Sequence, residues 1–260
     1  MFLIIGALRN FNAGIMKLRQ GNFRGDSTTP VALGEDVGGE GDRPAGTGGV
    51  GGEGMGQKTL GILGMGNIGR NIKRKAEAFG MRVIYHNRRG PIDHSSHSQV
   101  GEKAEYVSFD DLLRLSDVLS INTPLNPQTR HLISTPQFQQ MKPTAIIINT
   151  ARGAIIDEEA LVQALDVQMI AGAGLDVYED EPRVHPGLMR RDEQVLLLPH
   201  MGTWTRGTQK KMEISAIQNI ASAMRGSGLK DMIPEQVERG VGRIGGVESE
   251  SESKSESPRS

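Results

Sequence analysis

Cysteine is absent from the 260 residues, and aromatic residues make up only 4% of them. Without cysteine the chain forms no disulfide, has no thiol nucleophile and holds no metal through a cysteine thiolate. The formal net charge of −1 provides no basic field for nucleic acid or for an anionic membrane surface. The absence of cysteine suits a cytoplasmic enzyme, and we expect no metal site and no nucleic-acid or membrane partner.

Long hydrophobic runs are also missing. The opening segment MFLIIGAL is too short to cross a bilayer, and polar residues follow it directly. Apolar residues from Ile4 to Leu18 recur at helical spacing, which predicts an N-terminal helix within residues 1–24 that packs on a partner surface.

Two segments contain almost nothing that could be buried. Residues 25–57 are dominated by glycine with scattered acids, and residues 226–260 end in a run of serine and glutamate. These compositions predict a flexible, disordered Gly-rich insertion and a C-terminal extension that is mostly disordered.

Between these two segments, short β-rich runs alternate with helical patterns. Strands are predicted at 59–63, 81–85, 117–121, 144–149, 169–174 and 195–198, and helices at 67–79, 109–115, 157–166 and 204–224. Apolar runs joined by helices indicate a parallel sheet that is covered on both faces. Right-handed crossovers then give an α/β fold, a doubly wound Rossmann-type domain predicted over residues 58–225.

The segment LGILGMGNIGR, residues 60–70, carries the spacing G-x-G-x-x-G. It follows a predicted strand and opens a predicted helix, as the dinucleotide-binding fingerprint requires. Gly64 permits the tight turn, Gly66 lets the backbone approach a pyrophosphate, and Gly69 allows the helix to pack closely on the strand. The start of the helix would present two amides to the phosphates, those of Asn67 and Ile68.

The end of the second strand indicates which dinucleotide is preferred. NAD sites usually place an acid there to bind the ribose 2′-hydroxyl. Here Tyr85 and His86 are followed by Asn87, Arg88 and Arg89, with no acid among them. A guanidinium can bind a 2′-phosphate in bidentate fashion, so we expect Arg88 and Arg89 to contact NADP(H) in preference to NAD(H). The alternative is a pair of solvated arginines beside a promiscuous pocket.

Three residues beyond the glycine loop suggest the chemistry. Arg152, Glu181 and His200 each follow a predicted strand, and in a doubly wound sheet ligands bind at that edge. A guanidinium can bind a carboxylate and polarise a carbonyl, and a histidine oriented by a carboxylate can protonate the alkoxide that forms. Alone, each residue also has a structural interpretation, as a surface ion pair, a solvated loop acid or a strand-end residue.

From about residue 59 to 225 the chain resembles the D-isomer-specific 2-hydroxyacid dehydrogenase family, especially its glyoxylate/hydroxypyruvate reductase branch. The matching segments are LGILGMGNIGR, SDVLSINTPLNPQTRHLI, FQQMKPTAIIINTARGAIIDEEALVQAL, AGAGLDVYEDEP and VLLLPHMGTWT. The resemblance implies an NAD(P)-dependent oxidoreductase that reduces a small 2-oxo acid to the 2-hydroxy acid. Arg152 would bind substrate and polarise its carbonyl, His200 would be the acid/base, and Glu181 rather than Glu179 would be its partner.

The resemblance also implies cofactor contacts. Asn87 and Arg88 match what NADP-preferring members of the family carry after the second strand. Thr123 and Pro124 would flank the adenosine and phosphate region, and Thr150 and Ala151 would approach the nicotinamide ribose. Asp176 would bind the carboxamide, or alternatively fix the local turn. Three more contacts are implied near the reaction centre: Arg152, His200 and Gly202.

Family members normally have two domains, and the resemblance implies that most of the N-terminal substrate-binding domain is missing here. Residues 1–24 would then be the inter-domain and dimerisation helix. Its uncovered apolar residues would form an exposed patch: Phe2, Leu3, Ile4, Ile5 and Leu8. We therefore expect a homodimer, weak binding of NADPH and very low or absent reductase activity.

Other interpretations stay open. A non-catalytic NAD(P) sensor, similar to the corepressors that share this fold, could keep the same three residues and bind a peptide instead. The chain could also be an incomplete gene product. A methyltransferase is disfavoured because the segments NTARG and PHMGTWT would have no role in it.

Overall fold

The structure of the protein is a computed structural model that describes residues 1–23, 58–92, 104–229 and 232. The predicted Gly-rich insertion and most of the C-terminal extension lie outside these residues. The chain divides into two compact units, Met1–Gly202 and a second that begins at Thr203. The domain bounds given above stay predictions.

A parallel sheet forms the first unit. Its strands are β1 (Thr59–Leu63), β2 (Arg82–His86), β3 (Glu105–Tyr106), β4 (Val118–Ile121), β5 (Ile146–Asn149), β6 (Gly172–Leu175) and β7 (Val195–Leu197), in the order β3-β2-β1-β4-β5-β6-β7. The chain runs outward from β1 to β3 and then returns to β4 on the other side of β1. Ligands bind at such a switch point, outside the carboxyl ends of the strands. The predicted doubly wound α/β fold is confirmed.

Helices connect the strands. Those of the first unit are α1 (Phe2–Leu8), α2 (Phe11–Arg19), α3 (Asn67–Ala78), α4 (Phe109–Leu115), α5 (Thr135–Phe138), α6 (Glu158–Asp166) and α7 (Pro186–Met189), with a 3-10 helix at Gly153–Ile155. The second unit contains α8 (Arg206–Met224). In the ranges that the structure describes, no helix is both long and apolar enough to cross a membrane.

Two apolar clusters make up the core. One joins α4 and α6 to the sheet through side chains such as Leu112 and Leu161, and it includes Phe138. The other contains Leu60 and Tyr85 from β1 and β2 together with residues of α1. Every residue of β1, β4, β5 and β6 is buried, which explains why these strands read as continuous apolar runs.

The N-terminal prediction needs two corrections. The single helix is wrong, because the chain breaks at Asn10, whose φ of 54° lies in the left-handed region. The exposed patch is wrong for Leu3, Ile4 and Leu8, which are at most 4% exposed, and Ile5 is half-buried, whereas Phe2 is 57% exposed. The reason is that α1 packs on β5, β6 and β7 of its own sheet.

Strand prediction was least accurate where strands are short or exposed. The strand predicted at 169–174 begins too early. The chain turns after α6, and β6 begins only at Gly172. The edge strand β3 was missed, since it has only two residues and both are exposed. A strand so short leaves no alternation for sequence reasoning to detect.

Candidate active site

The glycine loop begins with a turn that only glycine fits. Gly64 has a φ of 98°, and its N–H donates to the carbonyl of His86 at 3.0 Å. A Cβ at this position would lie 2.9 Å from the carbonyl group of Asn122 at the end of β4. The turn is therefore held between the ends of β2 and β4, at the switch point of the sheet.

The other two glycines differ in their surroundings. A Cβ on Gly69 would lie 2.5 Å from the carbonyl oxygen of Gly64, so glycine lets α3 approach the loop. A Cβ on Gly66 would meet none of the described atoms within 4 Å, which leaves open space above the loop. Gly66 is the N-cap of α3 and has no side chain to cap the first amides of the helix, those of Asn67 and Ile68.

The segment after β2 braces the loop and exposes two cations. The Asn87 side-chain oxygen accepts from the N–H of Met65 at 2.7 Å, so this side chain supports the glycine loop itself. Arg88 and Arg89 are exposed, and a guanidinium nitrogen of Arg88 donates to Gln128 Oε1 at 3.2 Å. The structure thus places both arginines at the carboxyl edge of β2, as expected.

Two buried polar atoms at the end of β4 lack a protein partner. Within the described residues, neither Asn122 Oδ1 nor Thr123 Oγ1 makes a hydrogen bond. Buried polar atoms are normally satisfied, so these two indicate a bound ligand or water. Together with the space above Gly66, they fit a dinucleotide at this edge. Pro124 lies next to them, and its carbonyl accepts from Thr129 Oγ1 at 2.7 Å.

The turn after β5 presents Arg152. The buried Asn149 side chain accepts from the N–H of Ala151 at 3.0 Å and donates to the carbonyl of Arg152 at 2.9 Å. These bonds shape the turn while the side chains of Arg152 and Thr150 stay exposed. Sequence reasoning missed Asn149, although its place at the last residue of a buried strand is a usable indication.

His200 and Glu181 form a hydrogen-bonded pair. The distance from His200 Nδ1 to Glu181 Oε2 is 2.8 Å, and Glu181 Oε1 accepts from the N–H of Tyr178 at 3.0 Å. Burial alone would raise the pKa of the Glu181 carboxyl, but these hydrogen bonds and the charges of His200 and Arg152 outweigh it and lower the pKa. An ionised carboxylate only accepts, so Nδ1 is the donor and Nε2 is left for a substrate.

Asp176 fixes the turn that follows His200. Its two carboxylate oxygens accept from the N–H groups of Met201 and Gly202 at 2.8 and 2.9 Å, and its side chain is 4% exposed. His200 itself has a φ of 51°, a conformation that is uncommon for non-glycine residues. The structure therefore shows the turn-fixing role of Asp176 and Gly202, while their contact with a carboxamide stays a prediction.

Glu179 belongs to a separate charged cluster. Its Oε1 accepts from Arg130 at 3.0 Å and lies 2.6 Å from His131 Nε2, while its N–H donates to Glu158 Oε1 at 2.6 Å. Burial raises the pKa of Glu158, with the nearby Glu179 adding to the effect and hydrogen bonding opposing it. Of the two glutamates in the segment DVYEDEP, Glu181 is the one that contacts His200, whereas Glu179 contacts His131.

Known proteins resemble this chain over most of its length. Residues 1–202 match the model of a family described as D-isomer specific 2-hydroxyacid dehydrogenase, NAD binding domain. The 4-methyl-2-oxopentanoate reductase A of Aspergillus oryzae is 47% identical over 236 residues, 91% of this chain and 63% of that protein. The chain spans 61–63% of the length of the first three curated relatives that it matches.

Solved structures agree with the fold. A glyoxylate reductase from Paecilomyes thermophila superposes with a TM-score of 0.75 and 45% identity, over 90% of this chain and 63% of that one. An NADPH-dependent glyoxylate/hydroxypyruvate reductase from Sinorhizobium meliloti, solved with NADP and malonate, superposes with a TM-score of 0.71. It is 27% identical, over 90% of this chain and 65% of that one.

Proposed function

Since the chain belongs to the D-isomer specific 2-hydroxyacid dehydrogenase family, we propose that it reduces a small 2-oxo acid to the 2-hydroxy acid with NAD(P)H. The substrate class is that of glyoxylate and hydroxypyruvate. The observation that carries the proposal is the pair of His200 and Glu181, 2.8 Å apart at the same sheet edge as the glycine loop. A pair of this kind can supply the proton that a carbonyl reduction needs.

The residues at the switch point support the cofactor assignment. The amides at the start of α3 would hold the pyrophosphate, and Thr123 would offer its unpartnered hydroxyl to the same ligand. When bound, the reduced nicotinamide supplies the hydride. We propose NADP(H) over NAD(H), because Arg88 and Arg89 stand where an acid would bind the 2′-hydroxyl. The Sinorhizobium meliloti relative, solved with NADP, supports this choice.

Three side chains of the site would bind the substrate, donate the proton and orient the proton donor. Arg152 is exposed at the carboxyl edge of β5, where its guanidinium can bind the substrate carboxylate and polarise the neighbouring carbonyl. His200 Nε2 donates a proton to the carbonyl oxygen as the carbonyl carbon is reduced, and solvent then reprotonates the ring. Glu181 fixes Nδ1 as the donor and stabilises the imidazolium.

An oxidation assay tests the proposal. NADPH consumption is followed with glyoxylate and with hydroxypyruvate, for the native chain and for His200→Asn, since asparagine tolerates a positive φ. We expect turnover that falls by about 10²- to 10⁴-fold in the variant. NADPH binding without turnover, both in the native chain and in a version that carries a family N-terminal domain, would contradict the proposal and favour the nucleotide sensor. The very low or absent activity expected from the sequence stays a prediction that the same assay tests.

A homodimer is also proposed for the protein. Three large apolar side chains of α2 support it, because Phe11, Ile15 and Leu18 are 42%, 47% and 56% exposed. Exposed apolar patches of this kind favour association. Sedimentation velocity of the native chain against Ile15→Lys tests the proposal, and we expect the variant to shift towards the monomer.

A further inference from the structure

We propose that Tyr178 is a positioning residue that holds His200, Glu181 and the Arg152 turn in one arrangement. The proposal rests on the proposed function, in which these three side chains carry the chemistry. The Tyr178 hydroxyl contacts the segment that carries His200, its backbone N–H contacts Glu181, and its backbone carbonyl lies against the turn that carries Arg152. Tyr178 makes none of the direct contacts with substrate that are proposed for the other three.

The hydroxyl reaches the segment that carries the histidine. Tyr178 Oη donates to the carbonyl of Leu198 at 2.7 Å, and Leu198 lies two residues before His200. The residue between them is Pro199, whose ring fixes φ and removes one degree of freedom. Because Asp176 holds the two amides after His200, the histidine backbone is anchored on both sides.

The backbone N–H reaches the carboxylate. It donates to Glu181 Oε1 at 3.0 Å, which leaves Oε2 facing His200 Nδ1. The same residue therefore fixes both members of the pair: its hydroxyl sets the position of the imidazole, and its N–H sets that of the carboxylate. A shift of Tyr178 would change the distance between Nδ1 and Oε2.

The carbonyl group lies against the turn that presents Arg152. A Cβ on Gly153 would come within 1.9 Å of the carbonyl carbon of Tyr178, so the two backbones are in close contact there. Only glycine permits this approach, and it places the Arg152 turn beside the segment of Glu181. Burial raises the pKa of Glu181, but its hydrogen bonds and the charge of His200 lower it, and the charge of Arg152 adds to the lowering.

Tyr178 itself has little freedom to move. Its side chain is 7% exposed and belongs to the apolar cluster on the α4 and α6 side of the sheet. Burial, with smaller contributions from Asp176 and other nearby acids, raises the pKa of the Tyr178 hydroxyl to about 12. The hydroxyl therefore keeps its proton at neutral pH and stays a donor to Leu198.

The test removes this hydroxyl alone. Tyr178→Phe keeps the backbone bonds and the ring, and Tyr85→Phe is the matched control, because the Tyr85 hydroxyl accepts from Ile92 N–H instead. The readout is the Nδ1 proton of His200 in NMR spectra, assigned by its absence in His200→Asn. We expect a low-field resonance in the native chain and in Tyr85→Phe, and its loss or broadening in Tyr178→Phe and in Glu181→Gln.

Kinetics and binding give a second readout. We expect kcat of Tyr178→Phe to fall by about 10- to 100-fold, as small misplacements of reacting groups do, with the Kd for NADPH unchanged within about twofold. Placing 4-aminophenylalanine at position 178 restores a donor and should restore both signals, whereas 4-methylphenylalanine should not. These two variants also test whether a donor at position 178 is required if Tyr178→Phe fails to fold.

The outcomes separate two failures. A native-like His200 resonance in Tyr178→Phe, with kcat unchanged, would overturn the positioning role. Absence of turnover in both the native chain and a version that carries a family N-terminal domain would overturn the proposed function instead, and the resonance would still report whether Tyr178 holds the pair.

Discussion

The side-chain oxygen of Asn87 accepts a hydrogen bond from the backbone N–H of Met65 at 2.7 Å. This bond joins the end of β2 to the middle of the glycine loop. A side chain expected to contact the cofactor therefore has a structural role, because it holds the loop in the shape that a pyrophosphate would meet. The residue that holds the loop and the two arginines proposed to select NADP(H) are therefore neighbours in the chain.

Asn87→Ala should weaken NADPH and NADH binding to a similar degree. The substitution leaves the partly buried N–H of Met65 without its acceptor, and a lost bond of this kind costs about 1–3 kcal/mol. Titration calorimetry with both dinucleotides measures the change, with Gln163→Ala on the exposed face of α6 as the control. Loss of NADPH affinity alone would mean that Asn87 acts on the 2′-phosphate instead.

Replacing Arg88 and Arg89 together with alanine should change cofactor preference. Charge-assisted hydrogen bonds contribute about 1.5–3 kcal/mol, so NADPH affinity should fall by about 10- to 100-fold while NADH affinity is retained. Replacing Arg74 and Lys75, two exposed cations of α3, together with alanine removes the same charge and serves as the control for net charge. Equal losses for both dinucleotides would contradict the proposed preference for NADP(H).

Glu181→Gln should reduce stability in a pH-dependent way. The carboxyl has a lowered pKa in the folded protein, so its stabilising effect is present above its ordinary value of 4.5 and is lost as the pH falls through the folded value. The effect should stay below about 1 kcal/mol because solvent screens the half-exposed pair. Urea unfolding at several pH values measures it.

The same measurement in a His200→Asn background provides the reference for Glu181→Gln. Because the hydrogen bond and charge of His200 help to lower the pKa, the pH-dependent difference should shrink there. A difference that stays equally large in both backgrounds would show that the Tyr178 N–H, rather than the histidine, holds the carboxylate.

Two glycine-to-alanine substitutions should affect different properties, one the stability of the fold and the other NADPH binding. Gly153→Ala places a Cβ 1.9 Å from the Tyr178 carbonyl carbon and should destabilise the fold by about 1–3 kcal/mol or more. Gly66→Ala meets open space, so it should leave the melting temperature nearly unchanged but weaken NADPH binding, because the methyl group occupies the ligand's space. Equal effects on stability would contradict the assignment of Gly66 to the ligand.

The sequence predicted the buried strands well and the contacts between distant segments poorly. β1 and α4 were placed at their observed bounds, because full burial and helical spacing leave clear local patterns. The helical spacing near Leu3 could not reveal which surface it packs on, since that depends on a sheet formed much later in the chain. Glu181 could be selected through the resemblance, but the bond from Tyr178 to Leu198 crosses between two segments and leaves no local pattern.

The packing of α1 has a consequence for how the protein folds. Helix α1 precedes every strand of the sheet in chain order, yet it packs on β6 and β7, which come at the end of the first unit. During synthesis, Leu3, Ile4 and Leu8 emerge long before the strands that bury them. Closing so long a loop is slow, so folding of this unit should be completed only after β7 has left the ribosome. Until then the nascent chain carries an apolar helix that a chaperone could bind.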